Sequence, residues 1–149
     1  MRKTALLISV LMSAFATHGA RAGIYTDDLS RCMVESTTEG DRTELVKWMF
    51  AAASAHPAVG PLANVSADQI STANRTMADL LTRLLTRDCL EQASKAFQFE
   101  GAAAISASMQ VLGQVAGQQL FSDPSVSQAI ADLDAHFDAD AVKSALQAK

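Results

Sequence analysis

The sequence has few of the residues and motifs that usually mark an enzyme. It contains only two cysteines, three prolines, one tryptophan and one tyrosine among 149 residues. It lacks a Cys-x-x-Cys pair, a His-Glu-x-x-His frame, a Gly-x-Ser-x-Gly elbow, a phosphate-binding loop and a dinucleotide fingerprint. We therefore predict no catalytic residue, no metal site and no cofactor.

The first 22 residues have the features of a cleavable export signal. A positive start, Met1-Arg2-Lys3, precedes an apolar stretch that is too short to span a membrane, and Ala20-Arg21-Ala22 forms a small-x-small cleavage site. The pattern predicts a single mature domain, 23–149, that begins at Gly23 and lies in the periplasm or outside the cell. The alternative is an uncleaved anchor. Lipidation is disfavoured because Cys32 does not directly follow the apolar stretch.

The charge of the mature chain argues against some partners. Cleavage would remove three of the twelve basic residues and none of the sixteen acidic ones, which leaves a net charge near −7. Such a chain is repelled by nucleic acid and by anionic membrane surfaces. The expected partner is therefore another protein of the cell envelope.

The two cysteines, Cys32 and Cys89, are predicted to form a disulfide. In an oxidising compartment two thiols in one small domain usually pair, and this bond would close a loop of 56 intervening residues. The alternative is a pair of inert buried thiols. No histidine lies near either cysteine in sequence, which disfavours a catalytic thiol.

Apolar residues recur every three or four positions, which predicts an all-α fold, a compact bundle of about five to six helices with one disulfide. A first helix is expected over 25–36, and further helices are expected to end before Pro57 and to span 101–122. The expected helix starts are Thr38 or Asp41, the Ser66 and Gln69 capping box, a similar Asp88 and Glu91 pair, and Asp123-Pro124.

The stretch Gly101–Ser122 carries no charge, but glutamines at every fourth position make one face polar. We expect a central helix of the bundle rather than a membrane span. Gly113 and Gly117 are expected to allow close packing within the chain, the alternative being helix dimerisation, which this spacing favours only in lipid. The final helical stretch is expected to turn its apolar residues inward: Val126, Ile130, Leu133 and Phe137.

Four aspartates alternate around His136 near the carboxyl end, over Asp132–Asp140, and could suggest a cation site. The spacing fails as a calcium loop, because Phe137 holds the glycine position and Lys143 holds that of the terminal bidentate acid. An exposed acidic helix end is the expected structure.

Trp48 has two competing interpretations. It lies beside an apolar helical stripe, so it either packs at the edge of the core or anchors a partner, since tryptophan is enriched at binding hot spots. A proline-bounded loop, 57–65, follows the same helix. We predict a contact surface that consists of Trp48, His56, Pro57 and Pro61. His56 alone is better explained as a cation at a helix carboxyl end.

The runs Leu29-Ser30-Arg31-Cys32-Met33-Val34 and Leu84-Leu85-Thr86-Arg87-Asp88-Cys89 resemble an uncharacterised group of small exported proteobacterial helical proteins. The resemblance covers most of the mature chain and implies export and a helical fold, but no activity. In architecture alone, the chain is similar to periplasmic immunity proteins and to small acid-stress chaperones.

These features predict a periplasmic binding or inhibitory module of the immunity type, without catalysis. The alternatives are a cell-envelope hydrolase that uses Glu91 or Glu100, and a structural component of the envelope. The acidic residues fall mainly at helix starts, whereas an enzyme would concentrate titratable groups in a cleft.

Overall fold

The computed structural model describes residues 23–147, so the predicted signal peptide lies outside the described residues. Within this range every regular element is a helix, and the predicted all-α fold with one disulfide is confirmed. The α-helices are α1 (Ile24–Ser36), α2 (Glu39–Ser54), α3 (Ala67–Arg83), α4 (Leu90–Glu100), α5 (Ala102–Ser122), α6 (Pro124–Ala131), α7 (Leu133–His136) and α8 (Ala139–Gln147). A 3₁₀ turn (Gly60–Leu62) follows α2, and a π-helical turn (Leu84–Asp88) joins α3 to α4.

Side chains cap several helix starts as the sequence predicts. The hydroxyl of Thr38 accepts from the amide of Asp41 at 3.1 Å, and the carboxylate of Asp41 accepts from the amide of Thr38 at 2.8 Å. Ser66 and Gln69 form the same reciprocal pair at the start of α3. Asp123 accepts from the amide of Ser125 at 2.8 Å, just ahead of α6. Each bond satisfies an amide that has no partner within its helix.

The predicted cap of α4 by Asp88 is wrong. Cys89 precedes α4 without a side-chain cap, and its amide donates to the carbonyl of Leu84 at 2.8 Å, which closes the π-helical turn. The carboxylate of Asp88 is instead 2.8 Å from Nη1 of Arg83. Nη2 of Arg83 lies 2.8 Å from the carboxylate of Asp41, so this arginine holds α2 against the π-helical turn. The carboxylate of Asp88 therefore pairs with Arg83, which lies outside α4, instead of capping the start of α4.

Helix α5 lies at the centre of the bundle and packs against α1, α4 and α2. Its buried residues repeat every four positions, which places them on one side of the helix. Leu29 and Met33 of α1 are fully buried in the same core. The buried stripe of α5 consists of Ala104, Ser108, Leu112 and Ala116.

The disulfide joins Cys32 in the middle of α1 to Cys89 at the end of the π-helical turn, with the two Cα atoms 5.9 Å apart. Cys89 is fully buried and Cys32 is partly buried against the same core. The predicted pairing is therefore confirmed, and the bond ties the first helix to the segment that enters α4.

Gly113 and Gly117 do not mediate the close packing that the sequence suggests. Both are partly exposed, and a Cβ atom at either position would meet no side chain or packed neighbour within 4 Å among the described residues. The expectation was wrong because the face of α5 that meets its neighbours is the one that carries Ala104, Ser108 and Ala116. The small residues of that face make the close contacts instead.

Replacing both Gly113 and Gly117 by alanine should stabilise the protein. A glycine in a helix interior costs about 1 kcal/mol relative to alanine, and the added methyl groups meet open space. Urea unfolding should show a gain of about 2 kcal/mol for the double variant. Gly101→Ala is the matched control, because Gly101 has φ +79° and alanine there should destabilise. A loss of stability in the double variant would show that the side of α5 that carries Gly113 and Gly117 has no room for methyl groups.

The apolar residues beyond Asp123 do not point into the core, which corrects the predicted inward stripe. Ile130, Leu133 and Phe137 are exposed, and Val126 is partly buried. In the described part of the chain, α6 packs on α5, α7 packs on α6, and α8 packs on no other helix. The helices are short, so each interruption turns the chain, and the core is already closed by α1 to α5.

Across residues 23–147, no helix combines the length and the apolar character needed to cross a membrane. This includes α5, whose glutamines make one face polar.

Candidate functional site

Trp48 lies at the edge of the core. Its side chain is partly buried against core residues, and its indole Nε1 donates to Oδ1 of Asn74 at 2.9 Å. The bond links α2 to α3 and satisfies the only polar atom of the indole. Much of the Trp48 side chain therefore lies in the contact between α2 and α3.

His56 and Pro57 are exposed where the chain leaves α2. Nδ1 of His56 accepts from the amide of Ala58 at 3.2 Å, and its carbonyl accepts from the amides of Val59 and Gly60 at 2.9 Å. This hydrogen bond closes a turn at the carboxyl end of α2.

The loop after α2 folds back toward the end of that helix. A Cβ atom at Gly60 would lie 3.1 Å from the carbonyl oxygen of Ser54, so this approach favours glycine. Pro61 is the second residue of the 3₁₀ turn and is exposed, and the next residue, Leu62, is 87% exposed. The loop thus presents an apolar tip held by backbone hydrogen bonds.

A groove of about 510 Å³ runs between α2 and α3 beside this loop. Phe50, 56% exposed, and Val65 give it an apolar wall, while Glu44, Lys47 and Asp68 place charges at its sides. None of the four predicted contact residues lines it, although their loop contributes Asn64 and Val65. Its other lining residues are Ala51, Gln69, Thr72, Ala73 and Thr76.

Phe50, which the predicted contact surface did not include, is exposed on α2. Trp48 and Phe50 are two positions apart, which places them on roughly opposite sides of the helix. Since Trp48 packs inward, Phe50 faces outward. The sequence spacing could have predicted this exposure, because one helix cannot bury both position 48 and position 50 against a single core.

Glu91, a candidate for a hydrolase, lies in a second, polar cleft of about 360 Å³ between α1 and α4. Its carboxylate is 2.6 Å from Nζ of Lys95, and this hydrogen bond together with the ammonium charge lowers the pKa of Glu91. A general acid needs a raised pKa. The arrangement is that of an exposed helical ion pair.

Glu100, the other hydrolase candidate, accepts hydrogen bonds from the start of α1. The hydroxyl of Thr26 lowers the pKa of Glu100, and so do the amides of Tyr25 and Thr26, although desolvation opposes them. Its oxygens lie 2.6–3.0 Å from these donors. This carboxylate holds two helices together.

The acidic stretch near the carboxyl end does not converge on a point. Nε2 of His136 is 3.7 Å from a carboxylate oxygen of Asp132, and both side chains are exposed. Within the described chain, no group of three or more His, Cys, Asp or Glu residues is placed to hold a metal ion.

Comparisons with protein families, with curated proteins and with solved structures found no match. An apolar wall with charged residues at its sides suits an apolar side chain that has polar neighbours, as on the surface of another protein.

Proposed function

We propose that this protein is an exported, non-catalytic binding module that contacts another protein of the cell envelope through the α2–α3 groove and the loop 57–65. The observation that carries the proposal is the exposed phenyl ring of Phe50 on the wall of an apolar groove, next to a loop that exposes Leu62. Apolar surface gathered in a groove marks an interaction site more often than a singly exposed apolar side chain does.

The charges of the chain favour a basic partner. The mature chain would carry a net charge near −7, and Glu44 and Asp68 are at the groove itself. Lys47 is already paired with Glu44, with Nζ and Oε1 2.7 Å apart. An acidic surface speeds the encounter with a basic protein at low salt, while burial of the phenyl ring would supply affinity.

Inhibition is the form of binding that the loop suits best. Its turn is closed by His56, and its close approach to Ser54 restricts the backbone. A loop that is ordered before binding loses little conformational entropy when it inserts into a partner's cleft. The exposed Pro61 and Leu62 would enter first.

Phe50→Ser should weaken binding to the envelope partner about thirtyfold, the equivalent of about 2 kcal/mol for a hot spot, without lowering the melting temperature. The mature protein, purified from the periplasm, would be used to isolate the partner from an envelope extract, and affinities would then be measured by calorimetry. Phe97→Ser is the matched control, because Phe97 is 62% exposed on α4, away from the groove.

Trp48→Ala separates the two interpretations of the tryptophan. We expect a lower melting temperature with unchanged affinity, because the indole contacts the core and Asn74. Weaker binding at unchanged stability would return Trp48 to the contact surface. Equal affinities for wild type, Phe50→Ser and Phe97→Ser would contradict the proposal that the partner binds at the α2–α3 groove. Failure to isolate any partner would also contradict it.

A further inference from the structure

The start of α1 is capped by a residue far away in the sequence. Glu100, the last residue of α4, accepts from the amide of Tyr25 at 3.0 Å through one carboxylate oxygen. The other oxygen accepts from the amide of Thr26 at 2.9 Å and from its hydroxyl at 2.6 Å. Gly23 has no side chain with which to cap this helix, so the carboxylate satisfies its first free amides.

Gly23 lies directly against this carboxylate. A Cβ atom built on Gly23 would collide with the carboxyl carbon and both oxygens of Glu100, so the space that a side chain would need is filled by the carboxylate. The nitrogen of Gly23 is two bonds from that Cβ position, on the residue against which the carboxylate lies. The carbonyl of Gly23 accepts from the amide of Asp27 at 3.0 Å and fixes the residue at the helix start.

We propose that signal cleavage completes this contact: the ammonium group released on Gly23 forms an ion pair with Glu100 and locks the new amino terminus onto the ends of α1 and α4. The proposal rests on the predicted cleavage site and is independent of the groove. Hydrolysis of the Ala22–Gly23 bond consumes one water, leaves a carboxylate on Ala22 and frees an amine on Gly23 that takes up a proton. An uncleaved chain has a neutral amide at the same position.

The surroundings explain why the ion pair matters. The amino end of a helix is electropositive, so a free ammonium there is unfavourable without a nearby anion. The other ionisable groups near this end are Tyr25, Asp27 and Asp28 on α1, and Glu91 and Lys95 on α4; α5 carries none. Lys95 is held by Glu91, which leaves Glu100 as the carboxylate against Gly23.

The pair has a defined pH window. A raised amine pKa in the folded state gives stability that is fully present below the unfolded amine pKa and is lost as pH rises through the folded value. The pKa of Glu100 is lowered by the Thr26 hydroxyl and the two amides. Its contribution is therefore present above the unfolded carboxyl pKa and is lost as pH falls through the folded one.

The test is an NMR titration of the α-amine in mature protein purified from the periplasm with its disulfide intact, after intact mass has established Gly23 as the first residue. The amine pKa should be about one unit above its ordinary value, as expected for an opposite charge at this range. Glu100→Gln should lower the amine pKa to its ordinary value or below it, because the electropositive helix end then has no carboxylate beside it. Glu91→Gln removes a carboxylate from the same helix and should leave it unchanged.

A second form of the chain separates the ion pair from simple capping. Retaining Ala22 leaves the carboxylate cap but moves the charge away, so Glu100→Gln should lower the melting temperature less in this form than in the mature one. An ordinary amine pKa in the wild-type mature protein would overturn the proposal whether or not any variant folds. A mature chain that begins at another residue would overturn it as well.

Discussion

Replacing Cys32 and Cys89 together by alanine is expected to lower the free energy of unfolding by about 4 kcal/mol. The bond closes a loop of 56 intervening residues, and the chain-entropy model assigns this stabilisation to the restriction of the unfolded chain. Domains of this size are stable by about 5–15 kcal/mol, so the loss is a large share. Chemical unfolding of the mature protein, with and without reductant, measures it.

The reductant supplies the control for that experiment. Reduced wild type should match the double variant, and the double variant itself should not respond to reductant. A loss of about 4 kcal/mol corresponds to a melting temperature more than about 10 °C lower. A double variant as stable as oxidised wild type would show that restricting the unfolded chain does not stabilise this domain.

Local chemistry made much of the fold predictable from sequence. The caps by Thr38, Ser66 and Asp123 depend on residues within three positions of each other, so the sequence displays donor and acceptor together. The cysteine pair was predictable for a different reason, because only two thiols exist. Helix starts and one long-range bond could thus be assigned without knowing how the helices pack.

Long-range polar contacts were not predictable in the same way. Arg83 pairs with Asp41, 42 positions earlier, and Glu100 accepts from the amide of Tyr25, 75 positions earlier. The residues next to Arg83 and Glu100 in sequence do not identify these partners. Both contacts form only when the helices pack against one another.

The candidate site shows what periodicity alone cannot decide. The apolar positions of α2 occur on more than one side of the helix, so the sequence correctly predicts a helix but does not say which side is buried. The structure buries Leu45 and packs Trp48 inward, which leaves Phe50 at the groove. The loop 57–65 was predictable from Pro57, Gly60 and Pro61, whereas the groove beside it required the position of α3.

The seam between α1 and α5 depends on small side chains. Oγ of Ser30 and Oγ of Ser108 are 3.2 Å apart, and each hydroxyl also bonds a carbonyl of its own helix. The hydroxyl of Ser108 lies 3.2 Å from the carbonyl of Thr26 as well, so the two helices are in close contact here. Ser108 is fully buried, and a larger residue has no empty space to occupy.

Ser108→Leu is therefore expected to lower the free energy of unfolding by about 3 kcal/mol. The substitution adds three carbon atoms at a close contact of the seam and removes a hydroxyl that bonds across it. Overpacking of a filled core costs about 1–3 kcal/mol before the lost hydrogen bonds are counted. Ser108→Ala removes only the hydroxyl and should cost about 1 kcal/mol. Urea unfolding of the oxidised mature protein gives both values.

Gln110→Leu is the matched control, since Gln110 is exposed on the same helix and a leucine there should change stability by no more than about 0.5 kcal/mol. The order of the three variants distinguishes two causes. If hydrogen bonds account for most of the stability of the seam, Ser108→Ala and Ser108→Leu should lower the free energy of unfolding equally. If close packing accounts for most of it, Ser108→Leu should lower it clearly more. A Ser108→Leu variant as stable as Gln110→Leu would show that α1 moves away from α5 at little cost, and that the seam does not set the position of the central helix.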